Sequence, residues 1–201
     1  MTTTFRQALE QRRSYYALSA ESPLDDSQLE ELVQFAVKFT PSAFNSQSTR
    51  TVLLLGEAHT KLWNIVKQTL KEIVPANAFK KTEQKIDNSF ASGYGTVLFF
   101  EDENVVKELQ EKFPLYADNF PIWADQTSAM HQLVVWTLLE EAGLGASLQH
   151  YNPLIDDAVR EAWHLPAHWR LIAQMPFGKA LDTPAEKEFG PLGTRTFVFD
   201  R

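Results

Sequence analysis

Residues 118–142 read DNFPIWADQTSAMHQLVVWTLLEEA, the longest stretch of the chain with a helical pattern of apolar side chains. From Trp123 to Leu139 these side chains recur at spacings of three and four, which places them on one face of an α-helix. At about 1.5 Å per residue the helix would be roughly 37 Å long. Gly143 follows, a residue that commonly ends a helix in the left-handed conformation. We therefore predict one helix that crosses the whole domain.

The remaining elements follow from caps, periodicity and proline stops. Shorter helices are predicted over 4–12, 25–37, 57–73, 103–113 and 153–166. Strands, from short runs rich in β-branched and aromatic residues, are predicted over 51–55, 96–100, 146–149, 170–175 and 196–199. Because the chain opens with two helices in a row, the elements do not alternate as βαβ units. We expect an α+β fold with a central sheet flanked by helices.

Local signals support several of these boundaries. Two capping boxes, Thr4 with Gln7 and Asp25 with Gln28, mark the first two helices. The pair Asn152-Pro153 predicts a helix start, with the proline in the first turn. Residues 76–92 are mostly polar, and we expect a mobile segment there.

Composition limits the function classes. The chain has 201 residues, 44% of them hydrophobic and 22% charged, which is typical of one globular domain. The formal net charge of −7 makes nucleic acid or an anionic membrane a poor partner. Cysteine is absent, which excludes disulfides, thiolate nucleophiles and cysteine-bound metals and fits a reducing compartment. With no apolar leader or membrane-length run, we expect a cytoplasmic protein.

Familiar catalytic and cofactor motifs do not occur. Gly143 and Gly145 match two glycines of a dinucleotide fingerprint, but the third is a leucine and the segment precedes a strand. His131 lies on the apolar face of the long helix, where a core histidine is favoured over a catalytic one. His164 and His168 are interrupted by a proline, which disfavours a shared metal. We predict no metal site and no catalytic side chain.

Three polar segments remain as candidates for a ligand site. Arg12-Arg13-Ser14 ends the first helix and could bind an anion through two guanidinium groups and a hydroxyl. Residues 41–47 place four hydrogen-bonding side chains around one phenylalanine, a composition that suits a planar heterocycle with polar groups on its rim. Arg195 stands near the C-terminus. Alone, each segment is equally compatible with an ordinary surface.

Together these segments resemble the FMN-dependent nitroreductase family, over nearly the whole chain. The motifs that carry the resemblance are Arg12-Arg13-Ser14, Pro41-Ser42-Ala43-Phe44-Asn45-Ser46-Gln47, Ala142-Gly143-Leu144-Gly145 and Arg195. Two further stretches, 93–102 and 148–153, are similar to the short branch that includes fungal and lactic-acid-bacterial members. Each motif is loose, and their order and spacing together identify the chain as a member.

The resemblance implies one nitroreductase-like domain over residues 1–201, built as an intertwined homodimer around a mixed central sheet. It implies that the long helix 118–142 is the spine of the dimer. It also implies that the C-terminal segment 190–201 crosses to the partner and adds a strand to its sheet. Two FMN molecules are expected in the interface between the subunits.

The resemblance also implies a set of cofactor-binding residues. Arg12 and Arg195 are expected to clamp the FMN phosphate, while Arg13 and Ser14 contact the phosphate–ribityl region. The residues expected to reach the flavin from the other subunit are Ser42, Asn45 and Gln47. The turn Leu148-Gln149-His150-Tyr151 is expected to pass the isoalloxazine, with a backbone N–H facing flavin N5. The flavin itself carries the chemistry, so no catalytic side chain is required.

Two positions depart from the family pattern. Many relatives carry a basic residue two positions after the serine, near flavin N1 and O2, where this chain has Tyr16. Many also carry a lysine two residues before the C-terminal arginine, where this chain has Gly193. Both changes remove positive charge near the cofactor. Lys85 and Arg13 are the candidates to replace it.

The leading functional hypothesis is an oxidoreductase that passes electrons from NAD(P)H through FMN to nitroaromatic or quinone-type acceptors. Reduction and oxidation alternate at one flavin face, which gives a ping-pong mechanism with a small aromatic acceptor as the second substrate. The alternative is a flavin-dependent regulator or sensor in stress or lipid signalling with little turnover. A third hypothesis is an α+β scaffold without a cofactor. Flavin colour and steady-state NAD(P)H oxidation distinguish the three.

Overall fold

The computed structural model describes residues 4–200, so Met1–Thr3 of the expected leaderless N-terminus and the last residue of the segment 190–201 lie outside it. The helices are α1 (Phe5–Gln11), α2 (Asp26–Phe39), α3 (Gly56–Ile73), α4 (Ala76–Ser89), α5 (Glu103–Lys112), α6 (Phe120–Glu141) and α7 (Asp156–Ala162). The strands are β1 (Leu18–Ser19), β2 (Thr49–Leu55), β3 (Gly95–Asp102), β4 (Gly145–Ala146) and β5 (Trp169–Ala180). The predicted α+β class is confirmed.

The sheet has the order β1-β5-β3-β2, and its paired strands are antiparallel. β4 pairs with β5 near Gly178, and one parallel bridge joins Ser14 to Ala146. β3 is buried along its whole length because it lies between β2 and β5. β2 pairs with β3 alone, so within residues 4–200 its other edge carries no strand.

Alternate residues of β3 divide the core into two layers, as the period of two in a strand requires. Val97 and Phe99 face α2 and α6, where Val135 is one of the buried neighbours. Leu98 and Phe100 face the opposite side, which is filled by side chains of α3, α4 and α7. The long helix thus lies on one face of the sheet. The side of the helix that faces away from the sheet is exposed and can form an interface with another protein surface.

Most of the predicted elements are found close to their predicted bounds. Both capping boxes are present, with Thr4 accepting from the Gln7 amide and Asp25 from the Gln28 amide. Gly143 has φ of 83°, the left-handed conformation expected after the long helix. These signals depend on neighbours three or four residues away, so the sequence shows them directly.

Two expectations are wrong. Residues 76–92 do not form a mobile segment, because α4 covers Ala76–Ser89 and buries Ile86 against the layer that contains Trp63. A 2.7 Å ion pair between Lys67 and Asp87 adds a second link to α3. The pair Asn152-Pro153 does not begin a helix either. α7 begins at Asp156, after a turn in which the Asp156 amide donates to the Pro153 carbonyl.

The C-terminal segment 182–200, here called the arm, extends away from its own domain. The last backbone bond between this end of the chain and the sheet region joins the Leu181 amide to the Ala17 carbonyl. Phe197, Val198 and Phe199 are 68%, 85% and 94% exposed. The prediction of a strand over 196–199 is wrong for this chain by itself, because these residues pair with no other strand among those described. Their apolar pattern still requires a partner.

No helix within residues 4–200 combines the length and the apolar character needed to cross a bilayer.

His59 on α3 is buried beside β3 in a fully bonded neutral form. Its Nδ1 lies 2.9 Å from the Thr96 hydroxyl, which also accepts from the Trp63 indole, and its Nε2 lies 3.2 Å from the Ala91 carbonyl oxygen. Burial lowers the pKa of His59, and the bond to Ala91 opposes the shift only in part. Protonation would leave the Thr96 hydroxyl without its acceptor.

His59 should therefore make stability depend on pH. A histidine whose folded pKa is lowered contributes stability above its unfolded pKa of about 6.5 and loses that contribution as pH falls. We expect the melting temperature of His59→Gln to fall less between pH 7.5 and pH 5 than that of the wild type. The buried carboxyl groups are common to both proteins, so the difference isolates His59. If the melting temperatures of the two proteins fell equally between pH 7.5 and pH 5, the role assigned to His59 would be wrong.

Candidate functional site

Arg12 ends α1 and lies against the C-terminal half of α6. Its guanidinium carbon is 4.2 Å from the centroid of the Trp136 ring. Its Nε is buried and has no hydrogen-bond partner within residues 4–200. Burial lowers the pKa of Arg12, Arg13 adds to that shift, and Glu140 opposes it. The group is a positioned cation with an unused buried donor, which fits an anionic ligand.

Arg13 and Ser14 continue from this cation along β4. The bridge from Ser14 to Ala146 and the 3.0 Å bond from the Tyr15 amide to the Ala146 carbonyl hold the backbone in place. The Ser14 side chain remains exposed. The segment Arg12–Ser14, called the Arg12 patch below, is thus held beside β4 by its backbone.

The predicted loop 42–47 has a strained backbone. Phe44, Asn45 and Gln47 have φ of 56°, 51° and 50°, a region that costs most L-residues about 1–2 kcal/mol each. The Ser42 hydroxyl closes the loop by accepting from the Gln47 amide at 3.0 Å. Strain of this kind is concentrated at ligand sites. Ser42, Asn45 and Gln47 border one cavity of about 610 Å³ next to the open edge of β2.

One chain does not bring this loop to Arg12. The Phe44 ring stacks on Trp123 at 5.9 Å, whereas Arg12 stacks on Trp136. Thirteen residues separate these two tryptophans on α6, which corresponds to about 20 Å along the helix. Phe44 and Arg12 therefore contact opposite ends of the same helix.

The predicted turn at Gln149 and His150 follows β4 and is held by β5. Gln149 exchanges both backbone hydrogen bonds with Gln174 on β5, at 2.7 and 2.9 Å. The buried Gln174 side chain also accepts from the Tyr151 amide at 2.7 Å, which fixes the end of the turn. His150 is exposed between them. The turn begins three residues after Ala146, which bridges to Ser14.

Arg195 lies on the exposed arm, and the structure does not bring it to the other predicted residues. Its backbone amide donates to the Leu192 carbonyl at 2.9 Å, within the arm itself. Its place in a site depends on where the arm docks.

Tyr16 stands at the position where the sequence analysis expects a basic residue, so the positively charged side chains near it are of interest. The Tyr16 ring lies 6.3 Å from the Phe90 ring, and Lys85 Nζ lies 5.9 Å from the centroid of that same ring. Lys85 and Tyr16 thus both lie close to the Phe90 ring. Lys85 is one of the two candidates named from the sequence, and α4 positions it.

A cavity of about 850 Å³, larger than the one beside the loop, lies elsewhere within residues 4–200. It runs along α3 past Thr60 and Asn64 and borders Tyr94, and none of the nine predicted residues lines it. Within residues 4–200 no group of three His, Asp or Glu side chains is arranged to hold a metal. A site divided between two chains would not appear as the largest cavity of one.

Comparisons with known proteins decide the family. The sequence model of the Nitroreductase family matches residues 9–179. The chain belongs to the nitroreductase family. It is therefore an oxidoreductase of that family, and the fold expected from the sequence is confirmed.

Individual nitroreductases resemble the chain closely. HBN1 of Saccharomyces cerevisiae is 39% identical over 188 residues, which are 92% of this chain and 93% of that protein. The nitroreductase CinD of Lactococcus lactis has 46% identity and a TM-score of 0.90 over 98% of this chain and 100% of its own. CinD has been solved with nicotinic acid, with chloramphenicol and with 4-nitrophenol.

A nitroreductase structure from Exiguobacterium sibiricum contains FMN. It is 12% identical, with a TM-score of 0.68 over 98% of each chain. At that identity it supports the fold alone.

Proposed function

We propose that this nitroreductase binds FMN and passes electrons from NAD(P)H to nitroaromatic or quinone-type acceptors by a ping-pong mechanism. The observation that carries the proposal is the buried, unpartnered Nε of Arg12 beside Arg13 and Ser14. FMN bound to a protein of the same fold and 4-nitrophenol bound to CinD support the cofactor and the acceptor class. The acidic charge and the absence of cysteine favour a cytoplasmic protein with neither nucleic acid nor membrane as a partner.

The donor set fits the phosphate of FMN. A phosphate dianion accepts several charge-assisted hydrogen bonds, and guanidinium groups match its geometry. Arg12 and Arg13 supply the charge, and Ser14 supplies a hydroxyl at the end of the patch. Arg195 would complete the clamp when the arm docks.

A homodimer would bring the loop 42–47 and the Arg12 patch together, which one chain by itself does not do. If the α6 helices of two copies pack antiparallel, the Trp123 end of one lies beside the Trp136 end of the other. The loop 42–47 of one subunit then approaches the Arg12 patch of its partner. Exposed apolar side chains on α2 and α6 favour such an interface. They are Phe35, Phe39, Ile122, Met130 and Leu133.

The arm fits the open edge of β2. A cavity of about 520 Å³ runs beside Thr51, Leu53 and Leu55 next to α2. An added strand from residues 196–199 would pair with this edge and bury the apolar side chains of the arm. One segment would then support dimerisation and carry Arg195 to the cofactor.

When bound, FMN supplies the acceptance and donation of hydride at its N5 position. The residues of the chain bind the cofactor and orient it. The arginines and Ser14 hold the phosphate end, and Ser42, Asn45 and Gln47 offer hydrogen-bonding groups from the partner. The Gln149–His150 turn, fixed by Gln174, lines the face where acceptors dock. Lys85 supplies positive charge on the side of Tyr16.

A single assay tests the proposal. The purified protein should be yellow, and it should oxidise NAD(P)H only when a nitroaromatic or quinone acceptor is present. Plots of reciprocal initial rate against reciprocal NAD(P)H concentration, one for each acceptor concentration, should be parallel lines, as a ping-pong mechanism requires. A yellow protein without turnover would support the flavin-dependent sensor instead, and a colourless protein that takes up no FMN would support a scaffold.

His150 should affect the acceptor more than the cofactor. We expect His150→Ala to change the KM of several acceptors by about two- to tenfold, an effect of roughly 0.4–1.4 kcal/mol. Its FMN affinity should remain close to that of the wild type. The exposed Gln68 on α3 gives a matched control, Gln68→Ala. If no kinetic constant changed for any acceptor, His150 would have no part in the site.

A further inference from the structure

A buried carboxylate lies beneath the loop 42–47 and has no role in the site described above. Glu101 on β3 has none of its surface exposed. It accepts from the Ser48 hydroxyl at 2.6 Å and from the Thr49 hydroxyl. Burying a carboxylate is costly unless its oxygens are bonded. Both donors lie where the loop becomes β2, so this carboxylate joins the loop to the centre of the sheet.

A second link holds the same junction from the adjacent residue. Arg50 donates to the Gln47 carbonyl at 2.6 Å and to the Asp102 carboxylate at 2.9 Å. The Asp102 amide in turn donates to the Ser48 carbonyl at 2.9 Å. Glu101 and the Arg50–Asp102 pair together bond to three consecutive residues, 47–49. We call these three side chains the loop tether.

The strain in the loop explains why a tether is needed. Three positive-φ residues cannot persist in a free loop, because each has a more favourable conformation available. Asn45 and Gln47 are two of them and are also two of the side chains that the proposed function directs at the flavin. The Gln47 carbonyl is held directly by Arg50. The bonded geometry thus fixes the residues that a cofactor would meet.

We propose that Glu101, Arg50 and Asp102 are positioning residues that hold the loop in its FMN-binding conformation before the cofactor arrives. The inference rests on the proposed function, because it takes the loop to face FMN. Preorganisation raises affinity, since the cofactor does not have to order the loop on binding. Glu101 and Asp102 act through residues 47–49, which they hold in place. Arg50 does the same and also borders the cavity beside Asn45 and Gln47, so its effect on affinity includes a direct contact with a ligand there.

The test compares variants that keep or remove the bonds. Glu101→Leu has a similar size but leaves the Ser48 and Thr49 hydroxyls without their acceptor. Glu101→Gln keeps an acceptor oxygen and gains an amide donor, so it should restore the contact. We expect FMN affinity to weaken about tenfold in Glu101→Leu and in Arg50→Met, and by less than about threefold in Glu101→Gln. His59→Gln, which removes a buried polar contact beside the same strand, is the matched control and should keep wild-type affinity.

Two readouts separate positioning from simple stability. FMN titration of the apo proteins gives the Kd, and hydrogen exchange of amides 43–48 in the apo proteins should be faster in Glu101→Leu and Arg50→Met alone. If Glu101→Leu does not fold, the half-exposed Arg50 still permits the test. If the variants fold and keep the wild-type Kd for FMN and the wild-type hydrogen-exchange rates, this inference is wrong, and the proposed function is unaffected. A wild-type protein that takes up no FMN would overturn the proposed function and this inference with it.

Discussion

Deletion of residues 190–201 is expected to remove FMN, separate the proposed dimer and lower the melting temperature together. The arm has no sheet partner within residues 4–200, and Phe197 and Phe199 are largely exposed. In the proposed dimer they are buried at the edge of β2, and Arg195 reaches the phosphate. Loss of a ligand held at 100 times its Kd removes about 2.7 kcal/mol. For a chain of this size that corresponds to a fall of roughly 5–10 °C.

Two point variants separate the functions of the arm. Arg195→Ala should weaken FMN binding and leave the dimer intact, because the apolar strand remains. Replacement of both Phe197 and Phe199 by serine should weaken the dimer and, through it, cofactor retention. Sedimentation, flavin absorbance and thermal melts measure the three properties. A deletion protein that stayed a yellow, active dimer would show that the arm has neither role.

Loss of either proposed phosphate clamp should weaken FMN binding by about ten- to hundredfold. A guanidinium–phosphate pair in a partly buried site contributes on the order of 1.5–3 kcal/mol. Arg12→Ala also removes the stacking on Trp136, so its effect should be at the upper end. Arg12→Lys keeps the charge but loses the paired donors, and it should give an intermediate affinity.

The measurement is a titration of FMN into each apo protein at two ionic strengths. Arg6 offers the matched control, because it lies on the exposed face of the same helix and pairs with Glu10 at 3.3 Å. Arg6→Ala should bind FMN as the wild type does. Wild-type affinity in both Arg12→Ala and Arg195→Ala would remove the phosphate site from the proposal.

Much of the fold was readable from short-range signals. Thr4 and Asp25 cap helices by bonding to residues three positions away, and Gly143 follows the long helix in the left-handed conformation. A cap or a periodic stripe depends on neighbours within about one turn, and such neighbours are adjacent in the sequence. The order of elements was enough for the α+β class, and the motifs were enough for the family.

The segment 76–92 shows where local reasoning fails. Its polar composition suggested mobility, yet Ile86 and Phe90 are buried against α3. Those two apolar residues are decisive only because Trp63 covers them, and Trp63 precedes them by more than twenty positions. Tertiary packing routinely overrides weak local preference in this way.

By itself, the sequence determined the helices with local caps, the family, and the candidate residues Arg12 and 42–47. Tertiary structure alone decided that Phe44 of the loop and Arg12 contact tryptophans that lie about 20 Å apart along α6. It alone revealed the buried Glu101, which bonds to Ser48 across 53 positions of sequence. The physical reason is the same in both cases. A contact between distant residues depends on the register of the sheet and the length of a helix, and no local pattern contains either.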